Sequence, residues 1–468
     1  MSPKHAFAFK RFVVAAFTAV VAAAAVLTAH AAAMMSVTNM NALEGLAPMA
    51  ALGNSVAGKA ALASNFTVTG YIQSGAAKQP LLLPFPDQQQ QALRDALITG
   101  VAYELADGLG SKLGPAYQAT ITHTPYCKNL EFTRYMPTVS DLVGFANATS
   151  RGDSDAAKFF LANETRDGTE PVSLEAQAIL SAVNGTTDAF GKAYNLPAGS
   201  THTDQGSAEA NPFGNSRPFQ TEPHFTAYSG KDFCGSETTN TDNLQHLAAN
   251  PAYPSGHTVY GYMESLLLAL LVPERYQQMV ARAAEFGNDR IVLGSHYAMD
   301  VLGGRTLAEY DLAQLLANKT GYVGVERDNV KIDDFPKALA AARADLTAAL
   351  EKGCGGKIAD CAAQDQSRFA DPAKNSAFYE ATQTYGLPVV FANNAEGAED
   401  VAKLAPEAGY LLTAAFPSLT LAQADAILTL TEGLGGGFLD NGSTFGVYSR
   451  LDLYKAAERT AAFLREGK

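Results

Sequence analysis

Hydrophobic residues recur at helical spacing in several long segments of the chain. The clearest is 85–114, where Leu97, Val101 and Leu105 follow one another at four-residue intervals. Residues four apart lie on one face of a helix, so this pattern predicts a helix over 85–114, with Asp87 as its cap. Comparable patterns predict further helices at 173–197, 258–271, 274–293, 297–318, 335–352 and 421–432.

Two stretches lack this periodicity. Residues 32–86 are predicted to form an irregular lead-in with a few short elements, and residues 198–253 a long loop region. Loops of this length inside a compact protein are commonly functional or disordered. Two aromatic-rich patches and a cysteine in 198–253 favour an ordered, functional loop.

The predominance of helical patterns predicts an all-α fold. The helix at 258–271 is apolar on nearly all sides, which indicates a central, buried position. Its apolar run is too short for a membrane span, and Glu264 lies near its middle. Composition agrees, because 47% hydrophobic residues allow a sizeable core. The predicted units are a signal peptide (1–31), an N-terminal lead-in (32–86), a helical core (87–320) and a C-terminal helical extension packed on that core (321–468).

The first 31 residues have the layout of a secretory signal peptide. Lys4, Lys10 and Arg11 precede an Ala-rich apolar run, and small residues surround a cleavage point at 29–31. We therefore expect an exported protein, periplasmic or secreted, with no membrane span after cleavage. Without residues 1–31 the chain keeps 31 Lys/Arg against 47 Asp/Glu, a net charge of −16. This acidity argues against nucleic acid and anionic membranes as partners, and the oligomeric state is left open.

The four cysteines suit an exported protein with disulfides. Cys354 and Cys361 enclose the short stretch "GGKIAD", which could close on itself. We therefore favour Cys354–Cys361 and Cys127–Cys234 among the three possible pairings. The cysteine spacing offers no zinc pattern, and no metal is expected.

The segment "DRIVLGSHYAMD" carries a candidate catalytic pair. His296 and Asp300 are four residues apart and share one face of a helix. A carboxylate can hold an imidazole in one tautomer, which leaves the other ring nitrogen as a nucleophile or base. Arg290, six residues earlier, could supply a bidentate fork for an anion. By itself, this segment is better explained as a surface His–Asp pair on a helix.

The segment "PSGH" adds a helix start. Ser255 can cap the helix, Gly256 lets an anion approach the backbone, and His257 can donate a proton from the first turn. A second arginine, Arg217, precedes a proline in "NSRPF". Each piece alone has an ordinary structural explanation. Together they favour a site for a phosphoryl group with a covalent phosphohistidine intermediate.

The combination of "RP", "PSGH" and an arginine followed by His296 and Asp300 resembles the signature of the type 2 phosphatidic acid phosphatase superfamily. This superfamily includes class A bacterial non-specific acid phosphatases, membrane lipid phosphatases and vanadium-dependent haloperoxidases. The resemblance implies a helical bundle core of the acid phosphatase/vanadium haloperoxidase type, with long ordered loops and extra terminal segments. It also implies that His296 attacks phosphorus, oriented by Asp300, and that His257 protonates the leaving alcohol. The phosphoryl oxygens would be held by Arg217, Ser255, Gly256 and Arg290.

Two positions depart from the family pattern. The family has a lysine seven residues before the arginine of "RP", where this chain has Ala210, and a serine where this chain has Asp289. One charge-assisted contact contributes about 1.5–3 kcal/mol, so the lost lysine matters more. We expect Asp289 to point away from the site. Candidate replacements for the lysine are Lys192, Lys231, Asn211 and Asn215.

Four functions are compatible with these residues. We favour an exported acid phosphatase that hydrolyses small phosphate monoesters without a cofactor. In a vanadate-dependent haloperoxidase the same pocket would hold vanadate as a cofactor, whereas in a phosphatase vanadate would inhibit; Ala210 weighs against the haloperoxidase. A lipid phosphatase would resemble the signature but would span the membrane. A catalytically impaired phosphate-binding relative is the fourth possibility, and the intact histidines argue against it.

Overall fold

The fold is built almost entirely from helices. The computed structural model describes residues 52, 55–121, 136–149, 217–221, 225–244, 247, 253–327 and 329–466. In its first half the helices are α1 (Val56–Ser74), α2 (Phe85–Arg94), α3 (Gly110–Gln118), α4 (Pro137–Ala148), α5 (Pro218–Thr221) and α6 (Asn240–Leu244). The ribbon β1 (Ser229–Lys231) and β2 (Glu237–Thr239) is antiparallel, with Ser229 opposite Thr239.

The centre of the molecule is α7 (Gly256–Leu271), α8 (Tyr276–Leu293) and α9 (Ala298–Leu316). The helix α7 packs along both α8 and α9, and all three are buried over most of their length. Burial on every side explains why α7 is apolar all round, since it has no face in water. A second small ribbon, β3 (Glu326–Arg327) and β4 (Val330–Lys331), follows α9.

The C-terminal part adds eight further helices to the described structure. They are α10 (Phe335–Cys354), α11 (Ile358–Ala362), α12 (Pro372–Thr384), α13 (Val401–Leu404), α14 (Tyr410–Thr413), α15 (Leu421–Thr431), α16 (Thr444–Tyr448) and α17 (Leu453–Glu466). Both α12 and α17 contact α8, and one continuous cluster of buried side chains joins them to the central helices.

Most of the predicted helices are confirmed where the structure describes the chain. The helix predicted at 258–271 begins two residues earlier, at Gly256, and the one at 297–318 is α9. The segment 274–293 starts with a 3₁₀ turn, Pro273–Arg275, before α8. The helices at 335–352 and 421–432 are α10 and α15. The helix predicted at 173–197 lies outside the described residues, as do the signal peptide, Ala210 and three of its candidate replacements, Lys192, Asn211 and Asn215.

The helix predicted over 85–114 is wrong in extent. The helix α2 ends at Arg94, and the chain then turns before a 3₁₀ helix, Ala106–Leu109, and α3. Two long-range contacts explain the break. The Asp95 carboxylate is bound by Arg282, and the Ala102 N–H donates to Glu264 at 2.8 Å. Asp87 is not the cap either, because Pro84 precedes the first turn and Asp87 lies within it.

The prediction of an irregular lead-in over 32–86 is also wrong in part. Residues 56–74 form the nineteen-residue helix α1. Ser55 caps its start by accepting from Gly58 N at 2.8 Å, and Gly75 ends it in the left-handed region with φ 73°. In 198–253, by contrast, the described residues are ordered into α5, the β1–β2 ribbon and α6.

Two smaller predictions can be checked against the described chain. Cys354 and Cys361 form a disulfide, as expected. Cys127, the predicted partner of Cys234, lies outside the described residues. Among the residues that the structure describes, none of the helices is long and apolar enough to cross a membrane.

Candidate active site

The start of α7 has the geometry of an N-terminal anion site. Ser255 caps the helix, because its Oγ accepts from Thr258 N at 3.2 Å and from Thr258 Oγ1 at 2.8 Å. A hydroxyl that accepts twice still has its own proton to donate. Gly256 is the first helical residue, and half-buried His257 lies in the first turn. The positive end of the helix dipole is therefore surrounded by groups that can donate to an anion.

The helices α7 and α9 approach closely at this point. A Cβ placed on Gly304 would lie 2.6 Å from the Ser255 carbonyl oxygen, so only glycine permits the contact. Ser255 N donates to Asp300 O at 2.9 Å, which ties the cap directly to the first turn of α9. The "PSGH" segment and the His296–Asp300 pair are therefore joined by backbone contacts.

His296 lies in the turn between α8 and α9. Gly294 ends α8 in the left-handed region with φ 85°, which reverses the chain and brings His296 in front of α9. His296 Nδ1 lies 3.5 Å from Asp300 Oδ2, and the same oxygen accepts from Tyr297 N at 2.8 Å. Asp300 is fully buried and His296 nearly so. The buried carboxylate therefore faces one nitrogen of the ring and fixes its orientation.

Arg217 faces the other nitrogen of His296. Its Nη1 lies 3.2 Å from His296 Nε2 and donates to Ser295 O at 3.0 Å. Its Nε donates to Leu247 O at 2.9 Å. These backbone contacts hold a buried guanidinium beside the ring nitrogen that does not face Asp300.

Arg290 reaches the same turn from the last turn of α8. The backbone N–H of His296 donates to Arg290 O at 3.3 Å. The Arg290 guanidinium lies 4.7 Å over the Phe286 ring, and its Nη2 donates to Asp95 O. Within the described residues, Arg290 Nε has no hydrogen-bond acceptor. Burial lowers the pKa of Arg290, against the attraction of Asp95 and Asp289.

Asp289, the residue that departs from the family pattern, is engaged elsewhere. It is fully buried, and its Oδ1 accepts from Gln88 Nε2 at 2.6 Å. Burial raises its pKa well above the usual range, and the neighbouring carboxylates Asp95 and Glu285 raise it further. Because Asp289 is engaged with Gln88 and burial disfavours its charged form, the substitution is compatible with an anion site.

The structure thus brings Arg217, Ser255, His296 and Asp300 into a chain of direct contacts, with Arg290 in the same turn and Gly256 and His257 in the first turn of α7. Lys231 is not part of this set, since its side chain is 62% exposed and lies 3.9 Å from Glu237. Within the described chain there is no group of three His, Cys, Asp or Glu side chains able to hold a metal.

Sequence reasoning missed Asp95 and Thr258, which support the site. Thr258 orients the Ser255 hydroxyl, and a threonine three residues after a serine cap is a signal that could have been noticed. Asp95 holds Arg290 from 195 residues away, and nothing in the local sequence indicates that contact. Glu264, which could have reached an active-site arginine, instead accepts from Asn147 at 2.7 Å and from Ala102.

Comparisons with known proteins found one family model and several curated acid phosphatases. Residues 210–312 match the PAP2 superfamily. The non-specific acid phosphatase of Salmonella typhimurium (strain LT2) is 35% identical over 130 residues, which are 28% of this chain and 42% of that protein. The non-specific acid phosphatase of Providencia stuartii is 36% identical over 86 residues, 18% of this chain and 35% of the relative.

A third relative, an acid phosphatase of Zymomonas mobilis, is 39% identical over 69 residues, 15% of this chain and 26% of that protein. The chain thus spans less than half the length of these curated relatives. The matched segment 210–312 holds both arginines, the start of α7 and the His296–Asp300 pair. Residues 210–312 therefore match a PAP2 superfamily domain, and part of the chain is similar to acid phosphatases.

Proposed function

We propose that this protein is an exported acid phosphatase that hydrolyses small phosphate monoesters through a phosphohistidine intermediate. One observation carries the proposal: His296 Nδ1 faces Asp300 at 3.5 Å, and Nε2 faces Arg217 at 3.2 Å. A ring that donates from Nδ1 to the carboxylate has its lone pair on Nε2. The nucleophilic atom is then adjacent to a guanidinium suited to a phosphoryl oxygen. The names of the relatives support acid phosphatase activity.

In the first step, His296 Nε2 forms a bond to phosphorus while the bond from phosphorus to the ester oxygen breaks. His257, in the first turn of α7, gives its proton to that oxygen, which leaves as an alcohol. In the second step, water attacks the phosphohistidine, His257 takes a proton from the water, and His296 and inorganic phosphate are released. Asp300 stays ionised and balances the charge that develops on the ring.

The charge on the transferring group is met by fixed donors. Arg217 and Arg290 supply guanidinium groups, Ser255 a hydroxyl and Gly256 a backbone N–H at the positive end of α7. Donors that are already in place when charge develops stabilise the transition state without reorganisation. The arrangement requires neutral His296 and protonated His257 together, which favours slightly acidic conditions. Export rests on the signal-like sequence of residues 1–31.

The test is the hydrolysis of p-nitrophenyl phosphate and phenyl phosphate by wild type, His296→Ala and His257→Ala. We expect His296→Ala to lose activity on both esters and to form no acid-labile phosphoenzyme. We expect His257→Ala to lose far more activity on phenyl phosphate, because p-nitrophenolate leaves with little need of a proton. Full activity of His296→Ala would disprove the phosphohistidine route. Vanadate should inhibit, whereas bromide oxidation that requires vanadate would assign the haloperoxidase reaction instead.

A further inference from the structure

A cavity lies beside the central helices, and no histidine is among its described lining residues. It has a volume of about 280 Å³ and is formed by α9, the turn after α12 and the glycine-rich segment 434–439. Leu302 and Phe438 contribute to apolar walls. Val389 and Leu434, which also line it, are 47% and 80% exposed. An apolar chamber with exposed apolar residues at its rim is typical of a ligand site.

The cavity also has two buried polar side chains in its lining. Arg305 is 1% exposed; its Nη2 donates to Ser449 O at 2.6 Å, and its Nε lies 3.7 Å from Glu309 Oε1. Gln383 is 7% exposed. Within the described chain, Arg305 Nε and Nη1 and both amide atoms of Gln383 have no hydrogen-bond partner. Leaving buried polar groups without hydrogen-bond partners is costly. The N–H groups of Arg305 and Gln383 are therefore suited to a ligand that accepts hydrogen bonds.

Glu309 is the carboxyl group beside Arg305. Burial opposes the charged form of the guanidinium, but the attraction of Glu309 raises its pKa. Burial raises the pKa of Glu309 to about 8, because it outweighs the attraction of Arg305. Burial likewise raises the pKa of nearby Asp452 and of Tyr379, which stays a neutral phenol. Burial thus disfavours the charged form of Glu309, whereas the raised pKa of Arg305 keeps the buried guanidinium charged.

We propose that this cavity binds a small amphiphilic carboxylate, such as a medium-chain fatty acid, at a site separate from the phosphate site. The carboxylate accepts from Arg305 and from the Gln383 amide, and the hydrocarbon chain lies along Leu302 and Phe438 toward Leu434. A carboxylate oxygen can accept a charge-assisted hydrogen bond from Nη1 of Arg305, which has no partner within the described chain. The ligand would pair the buried N–H groups and cover the exposed apolar side chains at the rim.

The first test is isothermal titration of the purified protein with octanoate, 1-octanol and acetate at pH 6. We expect one saturable octanoate site, with at least about tenfold weaker binding of 1-octanol, since a charge-assisted contact contributes about 1.5–3 kcal/mol. Acetate should also bind at least about tenfold more weakly, because it lacks the chain. Equal affinity for octanoate and 1-octanol, or no octanoate binding, would overturn the proposal.

Variants locate the site. A Cβ on Gly437 meets no atom within 4 Å, so Gly437→Leu can fill the chamber without disturbing the fold and should abolish binding. Gln383→Leu removes unsatisfied amide atoms, so it should weaken octanoate binding while keeping the unfolding temperature. Leu434→Ser should weaken binding, whereas Leu430→Ser, at another exposed leucine, should not. Unchanged octanoate binding in folded Gly437→Leu would place the ligand elsewhere and refute the proposal.

Discussion

Two buried arginines on one helix, Arg282 and Arg290, lie in very different surroundings. Arg282 donates to both oxygens of Asp95 at 2.7 Å and to Asp107 at 2.8 Å. Arg290, two turns later, touches the same residue, but only through the Asp95 backbone oxygen and alongside the Phe286 ring. The first guanidinium has its acceptors within the protein. The second leaves its Nε without an acceptor among the described residues, which fits the proposed role in binding phosphate.

The region around Arg282 is an ionic cluster, which we define as Arg282, Arg368, Asp95, Asp107 and Glu285. Arg368 donates to Glu285 at 2.6 Å and to Asp107 at 2.7 Å. Burial opposes ionisation of Asp107, but the two guanidinium groups outweigh it and hold its pKa well below the usual range. The cluster joins α2, α8 and the segment before α12. At the candidate site, in contrast, the Asp300 carboxylate faces His296, and Arg217 donates to backbone oxygens.

The largest effect is expected from Arg282→Met. It would leave Asp95 buried without its cation, and breaking a buried pair in this way costs about 3–5 kcal/mol. Urea unfolding followed by circular dichroism measures the free energy of unfolding. A loss of less than about 1 kcal/mol in the free energy of unfolding would show that the ion pairs of Arg282 do not stabilise the fold.

Arg290→Met should give the opposite result. Burial already disfavours the charged form of Arg290, so an apolar side chain of similar length should change the free energy of unfolding by less than about 1 kcal/mol. Removal of a donor to the developing charge should lower kcat/KM for p-nitrophenyl phosphate about 10²–10³-fold. Phosphatase assays on both variants give the comparison directly. Equal activity of Arg290→Met and wild type would remove Arg290 from the site.

Local signals in the sequence were sufficient for the helix starts that build the site. Ser255 as a cap, Gly294 as a helix end and the four-residue spacing of His296 and Asp300 all operate within one or two turns. The N-terminal helix α1 carried similar signals in Ser55 and Gly75, which could have revealed it.

Long-range contacts decided the features that the sequence pattern missed. The apolar spacing continues past Arg94, yet the helix stops because Asp95 is held by Arg282 and Ala102 by Glu264. Long-range contacts also decide how the charges are paired. Nothing near Arg290 in the sequence indicates that the Asp95 carboxylate accepts from Arg282 while the Asp95 backbone oxygen accepts from Arg290. The sequence pattern identifies the charged side chains, and tertiary packing decides which of them are paired within the protein.

Glu104 and Glu264 form a buried carboxyl pair, and we expect its effect to be smaller than those of the two arginines. Burial raises the pKa of Glu104 to about 7, against hydrogen bonds from Thr99, and raises that of Glu264 as well. The folded state therefore binds an extra proton between about pH 4.5 and 7, and this stabilisation is lost as the pH rises through 7. We expect Glu104→Gln to reduce the loss of stability over this window by up to about 1.4 kcal/mol per pH unit. Urea unfolding at pH 5, 6 and 7 measures both slopes, and parallel slopes would contradict the assignment.

The smallest effect is expected from Lys231→Ala. This variant tests whether Lys231 replaces the lysine of the family pattern, where this chain has Ala210. The Lys231 side chain is 62% exposed and is paired with Glu237 at 3.9 Å, and exposed pairs contribute about 0–1 kcal/mol. An exposed lysine engaged with Glu237 should not bind the substrate, so KM for p-nitrophenyl phosphate should stay within about twofold of wild type. Glu237→Ala is the matched control for loss of the ion pair alone. A rise in KM that occurs only in Lys231→Ala would assign Lys231 to the anion site. A cation that is paired within the protein could then also bind substrate, which would weaken the contrast between Arg282 and Arg290.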